Sequence, residues 1–415
     1  MALFESNRFL FFSLRYFFKW LLITAVVGSI IGSASAVFLL SLDAVTNFRE
    51  AHPWILFLLP IAGLVIAVLY RYWGADVVKG NNLLLEEVEE PKQTVPIKMA
   101  PLVYIGTLLT HLFGGSAGRE GTAVQMGGAI ADQFTDLFKL DAAERKLMLI
   151  VGMSAGFASV FNTPIAGAVF ALEVLYIGRL RYEAAIPSFM AAFASYYVCN
   201  LWPLTHTVYA IIDVPILSWI TISWTVFAGI CFGLTSKLFS FSMHTLSRMF
   251  ANYIKCPLIR PVIGGFVMLV LVYFFGLTKY MGLGIPVIIE SFIQQQETEV
   301  FLIKIALTVI TLSAGFKGGE VTPLFFIGAT LGSALSLFLP LPVSLLAGMG
   351  FMAVFAGAAN TPIACIFMGI ELFGMESVLY IAIASVIAYF CSGHVGIYRS
   401  QKGSKWLLFS FLKTN

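Results

Sequence analysis

The sequence predicts an all-helical integral membrane protein of two internal repeats, with broken helices meeting at a central site. Three observations support this. Composition is 59% hydrophobic and only 11% charged over 415 residues, against about 25% charged in an average soluble protein. The apolar runs are continuous, as in Ile55–Tyr70 and Val262–Phe275, rather than the short alternating segments of a membrane β-barrel. Short motifs in the first half return in the second about 200 residues later.

In chain order, Met1–Trp20 mixes Phe4, Phe9, Phe11, Phe12, Phe17 and Phe18 with Arg8, Arg15 and Lys19. It reads as a basic amphipathic helix at the membrane surface, leading into a span over Leu21–Leu40. Ala34-Ser35-Ala36 resembles a cleavage site, but it lies inside the apolar run, so no cleaved signal peptide is expected. A second span covers Trp54–Tyr70. The most polar stretch, Gly74–Lys98, follows; its glutamates 86, 87, 89 and 90 read as a solvated loop face or helix end. Beyond it the segments shorten and Gly or Pro interrupts them: Met99–Phe113, Ala123–Phe138, Leu147–Phe161, Ile165–Ile177, then Ala184–Leu201 and a hairpin-like loop, Pro203–Pro215. The second half opens with long spans at Ile216–Phe239 and Ile259–Phe275 and then shortens in the same way. The expected organisation is one transmembrane domain over 1–415, with repeats over 21–202 and 216–400 and no soluble regulatory domain.

The repeat is specific. Phe161-Asn162-Thr163-Pro164-Ile165-Ala166-Gly167 recurs as Ala359-Asn360-Thr361-Pro362-Ile363-Ala364-Cys365, and each copy reaches a glutamate, Glu173 or Glu371, at the same distance. Gly118-Arg119-Glu120-Gly121-Thr122 aligns with Gly318-Gly319-Glu320-Val321-Thr322, and Gly80-Asn81-Asn82 aligns more weakly with Gly282-Leu283-Gly284. Paired, Gly/Pro-broken segments in corresponding places of two halves point to a transporter binding site. Broken helices put backbone N–H groups and positive dipole ends near the bilayer midplane, where an anion can exchange water for them. Ionisable residues at that depth are costly and usually functional. Symmetry alone leaves open whether the halves are parallel or inverted.

The net charge of +3 is too small to imply nucleic acid. The cysteines (199, 231, 256, 365 and 391) are scattered through apolar runs without metal-ligand spacing and read as small buried apolar residues. No nucleophile–base pair or metal cluster is visible, so neither an enzyme nor a cofactor is expected.

These motifs resemble the CLC family of chloride channels and proton-coupled anion antiporters. The carriers are Gly118–Gly121, Asn162–Pro164, Asn360–Pro362, the loop Gly318–Pro323 and Tyr398, which matches a tyrosine near the end of the family's last helix. The resemblance implies a CLC-type fold of two inverted-topology repeats, a homodimer with one pore per subunit, cytoplasmic termini and a multi-pass inner-membrane protein. The departures from the chloride-type pattern are Asn81 for the usual serine, Gly319-Glu320-Val321-Thr322-Pro323 for the usual second loop, Val174 for the proton-relay glutamate and Thr122 for a proline. Together they resemble the family's fluoride/proton antiporters. A chloride/proton antiporter and a passive chloride or fluoride channel stay open, because Val174 fits a channel as well.

On this reading fluoride or chloride and protons are the partners, with the bilayer as solvent. Glu120 is the gating and proton-coupling residue: a carboxylate among anion-attracting backbone groups occupies the anion's own site until protonation releases it. Its plain alternative is a structural pair with Arg119. Glu320 is a second candidate for proton transfer or coupling, against helix capping. Asn81, Gly118, Arg119, Gly121, Val321, Thr322 and Tyr398 complete the expected anion path. Within it Arg119 holds its loop by bonds to carbonyls, Val321 forms an apolar wall, and Thr322 either donates to the anion or caps its helix. Tyr398 offers its O–H at the inner end. Glu173 and Glu371 read as structural, and Asn162 and Asn360 as helix caps.

Overall fold

In the computed structural model, residues 2–403 are described, with side chains from residue 14 onward; residues 404–415 of the expected domain lie outside them. Sixteen α-helices are described, eight in each half. The first half holds α1 (Ala2–Ala51), α2 (Leu59–Trp73), α3 (Asn81–Glu89), α4 (Met99–Leu112), α5 (Glu120–Leu137), α6 (Ala142–Phe161), α7 (Pro164–Glu173) and α8 (Ala185–Cys199). The second holds α9 (Trp219–Tyr253), α10 (Ile259–Phe275), α11 (Ile285–Ile293), α12 (Val300–Ala314), α13 (Val321–Leu335), α14 (Val343–Ala359), α15 (Pro362–Phe373) and α16 (Val378–Cys391).

Length separates these helices into two kinds. A span needs about 20 apolar residues, and the segments Leu14–Ala51, Pro53–Tyr72 and Trp219–Tyr253 are long and apolar enough. Several inner helices are too short to cross alone, among them the 14 residues of α4 and the 15 of α13. Their ends therefore fall inside the molecule, where backbone polar groups need partners.

Equivalent elements of the two halves meet antiparallel, as a twofold axis in the membrane plane requires. The Glu173 carboxylate, at the end of α7, accepts from Ile363 N (3.0 Å) and Ala364 N (2.7 Å) at the start of α15. The Glu371 carboxylate, near the end of α15, accepts from Ile165 N (2.9 Å) and Ala166 N (2.8 Å) at the start of α7. Each carboxylate thus fills the positive end of the other half's helix, giving both glutamates a structural role. Asn162 and Asn360 do cap helices, but at the other end. They take left-handed conformations (φ 62° and 59°) as the C-caps of α6 and α14, a role asparagine tolerates.

Small residues bring the core helices together. A Cβ on Gly127 would stand 2.2 Å from Gly152 O, and one on Gly350 would stand 2.0 Å from Gly328 O. These contacts join α5 to α6 and α13 to α14 at backbone distance, the packing that membrane helices use in place of a hydrophobic drive.

Several expectations are corrected. Residues 2–20 continue without a break into the helix that runs to Ala51. The α5 helix begins at Glu120, three residues before the expected span, so Glu120 and Thr122 lie in its first turn. Residues 203–215 form no hairpin; Tyr209 instead packs on Phe292 and Phe351, with ring centroids 5.5 and 5.2 Å away. The four glutamates do sit at a helix end, in the last turn and C-cap of α3, but Glu87 is no solvated face. It is 5% exposed and accepts from Arg145 of α6 at 3.2 Å. Arg145 also pairs with Asp132 of α5 at 2.8 Å and donates to Gln93 O at 2.6 Å. Three ionisable groups thus close a buried network in which each has a partner, the condition for charge burial. The network fixes the polar stretch, and α3 with it, onto α5 and α6.

Candidate functional site

The two motif loops are joined directly. Gly118 N donates to Gly319 O at 2.6 Å, and Gly319 N donates to Gly118 O at 2.8 Å, an isolated antiparallel bridge. Gly318 has φ 152°; beside it, a Cβ on Gly319 would stand 2.7 Å from Gly121 N. Only glycine permits two backbones this close. Immediately after the bridge α5 and α13 begin, so two helix N-termini converge on one place. The first turns supply unpaired N–H groups and positive dipole ends.

Glu120 fills that place. Its side chain is 1% exposed and crosses to the other half: Thr322 N donates to it at 3.1 Å, and the Thr322 hydroxyl lies 2.6 and 2.5 Å from its two oxygens. Arg119 N donates at 3.2 Å, and Arg119 Nε stands 3.6 Å away. A carboxylate therefore sits on the N-terminus of α13 and takes the hydrogen bonds of its second residue. Any small anion drawn to that helix end would meet the same donors.

Asn81, Gly118, Gly121 and Glu320 gather near it. Gly121 is the hub: a Cβ there would stand 3.1 Å from both Asn81 Nδ2 and Gly319 Cα, and 3.9 Å from Glu320 Oε2. Asn81 opens α3, so a third helix N-terminus reaches the site; its Oδ1 is buried without a hydrogen-bond partner. A Cβ on Gly118 would stand 3.0 Å from Glu120 Oε2. Val321, 1% exposed, packs in the core at the first position of α13.

Arg119 makes no described bond to a carbonyl. Its Nε is buried without a hydrogen-bond partner and forms an ion pair with the Glu120 carboxylate at 3.6 Å, so it is not the loop clamp expected from sequence. Glu320 is the N-cap residue of α13, yet its side chain makes no cap bond, and it joins no ion pair among the described residues. Glu120 does the capping in its place. Thr322 is not a cap either; its hydroxyl turns to Glu120.

Tyr398 does not lie on a helix. The last helix, α16, ends at Cys391, and Tyr398 sits in the segment beyond it, 7% exposed. Its ring meets Phe170 edge-on with centroids 6.5 Å apart. The segment is pinned on both sides: Ile397 N donates to Ala358 O at 2.8 Å, and Ser400 N donates to Asn82 Oδ1 at 3.0 Å. The residue after Asn81 therefore holds the segment that carries Tyr398.

Sequence reasoning missed Thr107, whose hydroxyl bonds that of Thr122 at 2.7 Å. The signal was a pair of threonines, Thr107 and Thr110, within the largely apolar run of α4. The Thr107 bond also makes the two halves unlike. Thr322 serves the carboxylate of the opposite half, whereas its counterpart Thr122 is occupied within its own.

Known proteins resemble this chain in sequence and in fold. The family model for voltage-gated chloride channels matches residues 62–393. A protein of Pseudomonas syringae pv. tomato called chloride/fluoride channel protein is 50% identical over 396 residues, 94% of this chain and 87% of its own length. The H(+)/Cl(-) exchange transporter ClcA of Cronobacter sakazakii is 26% identical, over 85% of this chain and 81% of its own. The solved structure of a CLC-type fluoride/proton antiporter superposes with a TM-score of 0.90 at 36% identity, covering 93% of this chain and 98% of that one. A slow cyanobacterial Cl−/H+ antiporter shares the fold, with a TM-score of 0.80 at 19% identity.

Proposed function

The chain belongs to the voltage-gated chloride channel (CLC) family of anion channels and proton-coupled antiporters, and on that premise we propose that it exports fluoride in exchange for protons. As a member of a transport family it is not an enzyme. One observation carries the proposal: the Glu120 carboxylate lies on the N-terminus of α13, hydrogen-bonded by Thr322 N and by the Thr322 hydroxyl. A carboxylate and an anion cannot both hold these donors. Protonation removes the Glu120 charge and weakens its hold, an anion takes its place, and return of the carboxylate expels the anion. Proton and anion movements are thereby linked.

Support for fluoride comes from the donors. Fluoride is small and strongly hydrated, so its site must return strong hydrogen bonds. Thr322 Oγ1, Thr322 N and Asn81 Nδ2 are such donors, and the second loop places Glu320 within reach of the same glycine. The 36% identity to a fluoride/proton antiporter over 93% of the chain points the same way. In this reading Glu120 gates, Glu320 transfers protons, and Asn81, Gly118, Arg119, Gly121, Val321, Thr322 and Tyr398 line the anion path. The protein works as a homodimer in the inner membrane with cytoplasmic termini.

The energetics favour exchange. One fluoride moving out for one proton moving in transfers two charges along the potential. At ~2.3 kcal/mol per charge per 100 mV this is roughly 4.6 kcal/mol, a gradient on the order of a thousandfold. A passive channel draws on half of that electrical term. The relative named chloride/fluoride channel protein keeps the channel as the competing reading. Liposomes loaded with fluoride or chloride, with pH recorded during release, separate them. Fluoride release with proton uptake supports exchange; release without it identifies a channel, and equal chloride rates reject the choice of fluoride.

A further inference from the structure

A cavity of about 390 Å³ lies between α2, α10 and the end of α12. Its walls carry three basic side chains, Arg71, Arg260 and Lys317, and no acidic one. Lys317 is the unusual member. Its stem packs on Gly106, where a built Cβ would stand 2.9 Å from Lys317 Cβ and Cγ. Its ammonium lies 3.9 Å from the centre of the Tyr70 ring and forms no hydrogen bond or ion pair with a described residue. Arg71 has no ion pair among the described residues either. Arg260 commits Nε to Ile254 O at 2.8 Å and one terminal nitrogen to Ala251 O at 3.4 Å. Two cations of the three, one of them backed by an aromatic face, thus open onto the cavity without a counterion. Holding such charge at the edge of a low-dielectric slab is costly, and an anion in the cavity would offset it.

Position identifies the anion's carrier. The short link from α1 to α2 returns the chain, so the end of α2 lies on the same side as the start of α1. Arg15, Lys19 and Arg71 share that side, as expected for a cytoplasmic face. Tyr72 and Trp73 beside Arg71 are 70% and 59% exposed, and Tyr253 at the end of α9 is 82% exposed, which marks the headgroup level. The lipid-facing side of α10, with Phe266 60% exposed, borders the cavity. Basic pockets between membrane helices at this level suit lipid phosphates.

The geometry points to an anionic phospholipid: we propose that this cavity holds the phosphate of an acidic lipid headgroup between Arg71, Arg260 and Lys317. Lys317 directly precedes Gly318 of the second motif loop, so the bound headgroup would steady the loop that carries Thr322.

Native mass spectrometry of the delipidated full-length protein tests this without relying on the choice of transported anion. Phosphatidylglycerol and phosphatidylcholine are added in turn, each with and without millimolar inorganic phosphate. Retention of phosphatidylglycerol well above phosphatidylcholine is expected. At about fivefold per basic side chain, Arg71→Gln/Arg260→Gln should reduce it roughly twenty- to thirtyfold. Arg71→Lys/Arg260→Lys should keep most of it, and Lys79→Gln, outside the cavity, should leave it unchanged. Lys317→Met alone should lose about fivefold and decides the matter if the double variant does not fold. Equal retention of the two lipids, or undiminished retention in the glutamine and Lys317 variants, overturns the proposal. Displacement of the lipid by inorganic phosphate overturns the lipid assignment in favour of free phosphate.

Discussion

Replacing Glu120 by Gln keeps the size of the side chain and an oxygen that accepts from Thr322, while removing the charge that an anion must compete with. The expected result in liposomes is fluoride release with no accompanying proton movement, and a variant that still takes up protons would remove Glu120 from the gate. Thr322→Val tests the donor. A hydrogen bond to a charged partner contributes about 1.5–3 kcal/mol, so half-maximal transport should need roughly ten- to a hundredfold more fluoride. An unchanged concentration dependence would place the anion elsewhere. At this scale the sequence was readable for a physical reason: ionisable residues among glycines in apolar surroundings have few explanations. Which oxygen faces which donor was not readable. Arg119 as a carbonyl clamp and Glu320 as a helix cap were both natural local readings, and both are overridden by Glu120 reaching across from a residue 202 positions away.

Among the elements, broken helices were legible because Gly and Pro punctuate them and the punctuation repeats. Their starts were less so. The onset of α5 depends on the backbone bridge between Gly118 and Gly319, a partner that local pattern does not reveal. The buried Glu87–Arg145–Asp132 network escaped for the same reason, since four neighbouring glutamates look solvated until an arginine 58 residues on is brought to them. Removing one member leaves charges uncompensated, which costs about 3–5 kcal/mol. Arg145→Ala should therefore lower thermal stability and release α3, and a melting temperature within a degree of the parent's would contradict that role. Gly350→Ala should be destabilising by about 1–3 kcal/mol, because its Cβ would meet Gly328 O at 2.0 Å and neither backbone can withdraw. Detergent melting curves that leave this variant level with the parent would show that α13 and α14 have room to part.

For the whole molecule, two repeats followed from the spacing of Asn162-Thr163-Pro164 and Asn360-Thr361-Pro362, while their inversion entered only with the family resemblance. The structure supplies the physical reason for the repeated glutamates, as each caps the other half's helix. Glu371→Gln leaves the N-terminus of α7 with a weaker partner and should lower stability by about 1–2 kcal/mol. Glu173→Gln should do the same to α15. Because one caps α7 and the other α15, the two losses should add in the double variant to within a few tenths of a kcal/mol. A double variant no less stable than either single one would mean that the two caps are one cooperative unit.

The crossed caps also bear on how the chain is made. When α7 leaves the ribosome, its carboxylate partner is still some two hundred residues from being synthesised, and through that interval the first turn of α7 has no such cap. At about 5–20 residues per second the wait lasts on the order of ten to forty seconds. The first half must spend that time in the membrane incomplete, and α7 gains its cap only when Glu371 arrives on a helix that was finished long before.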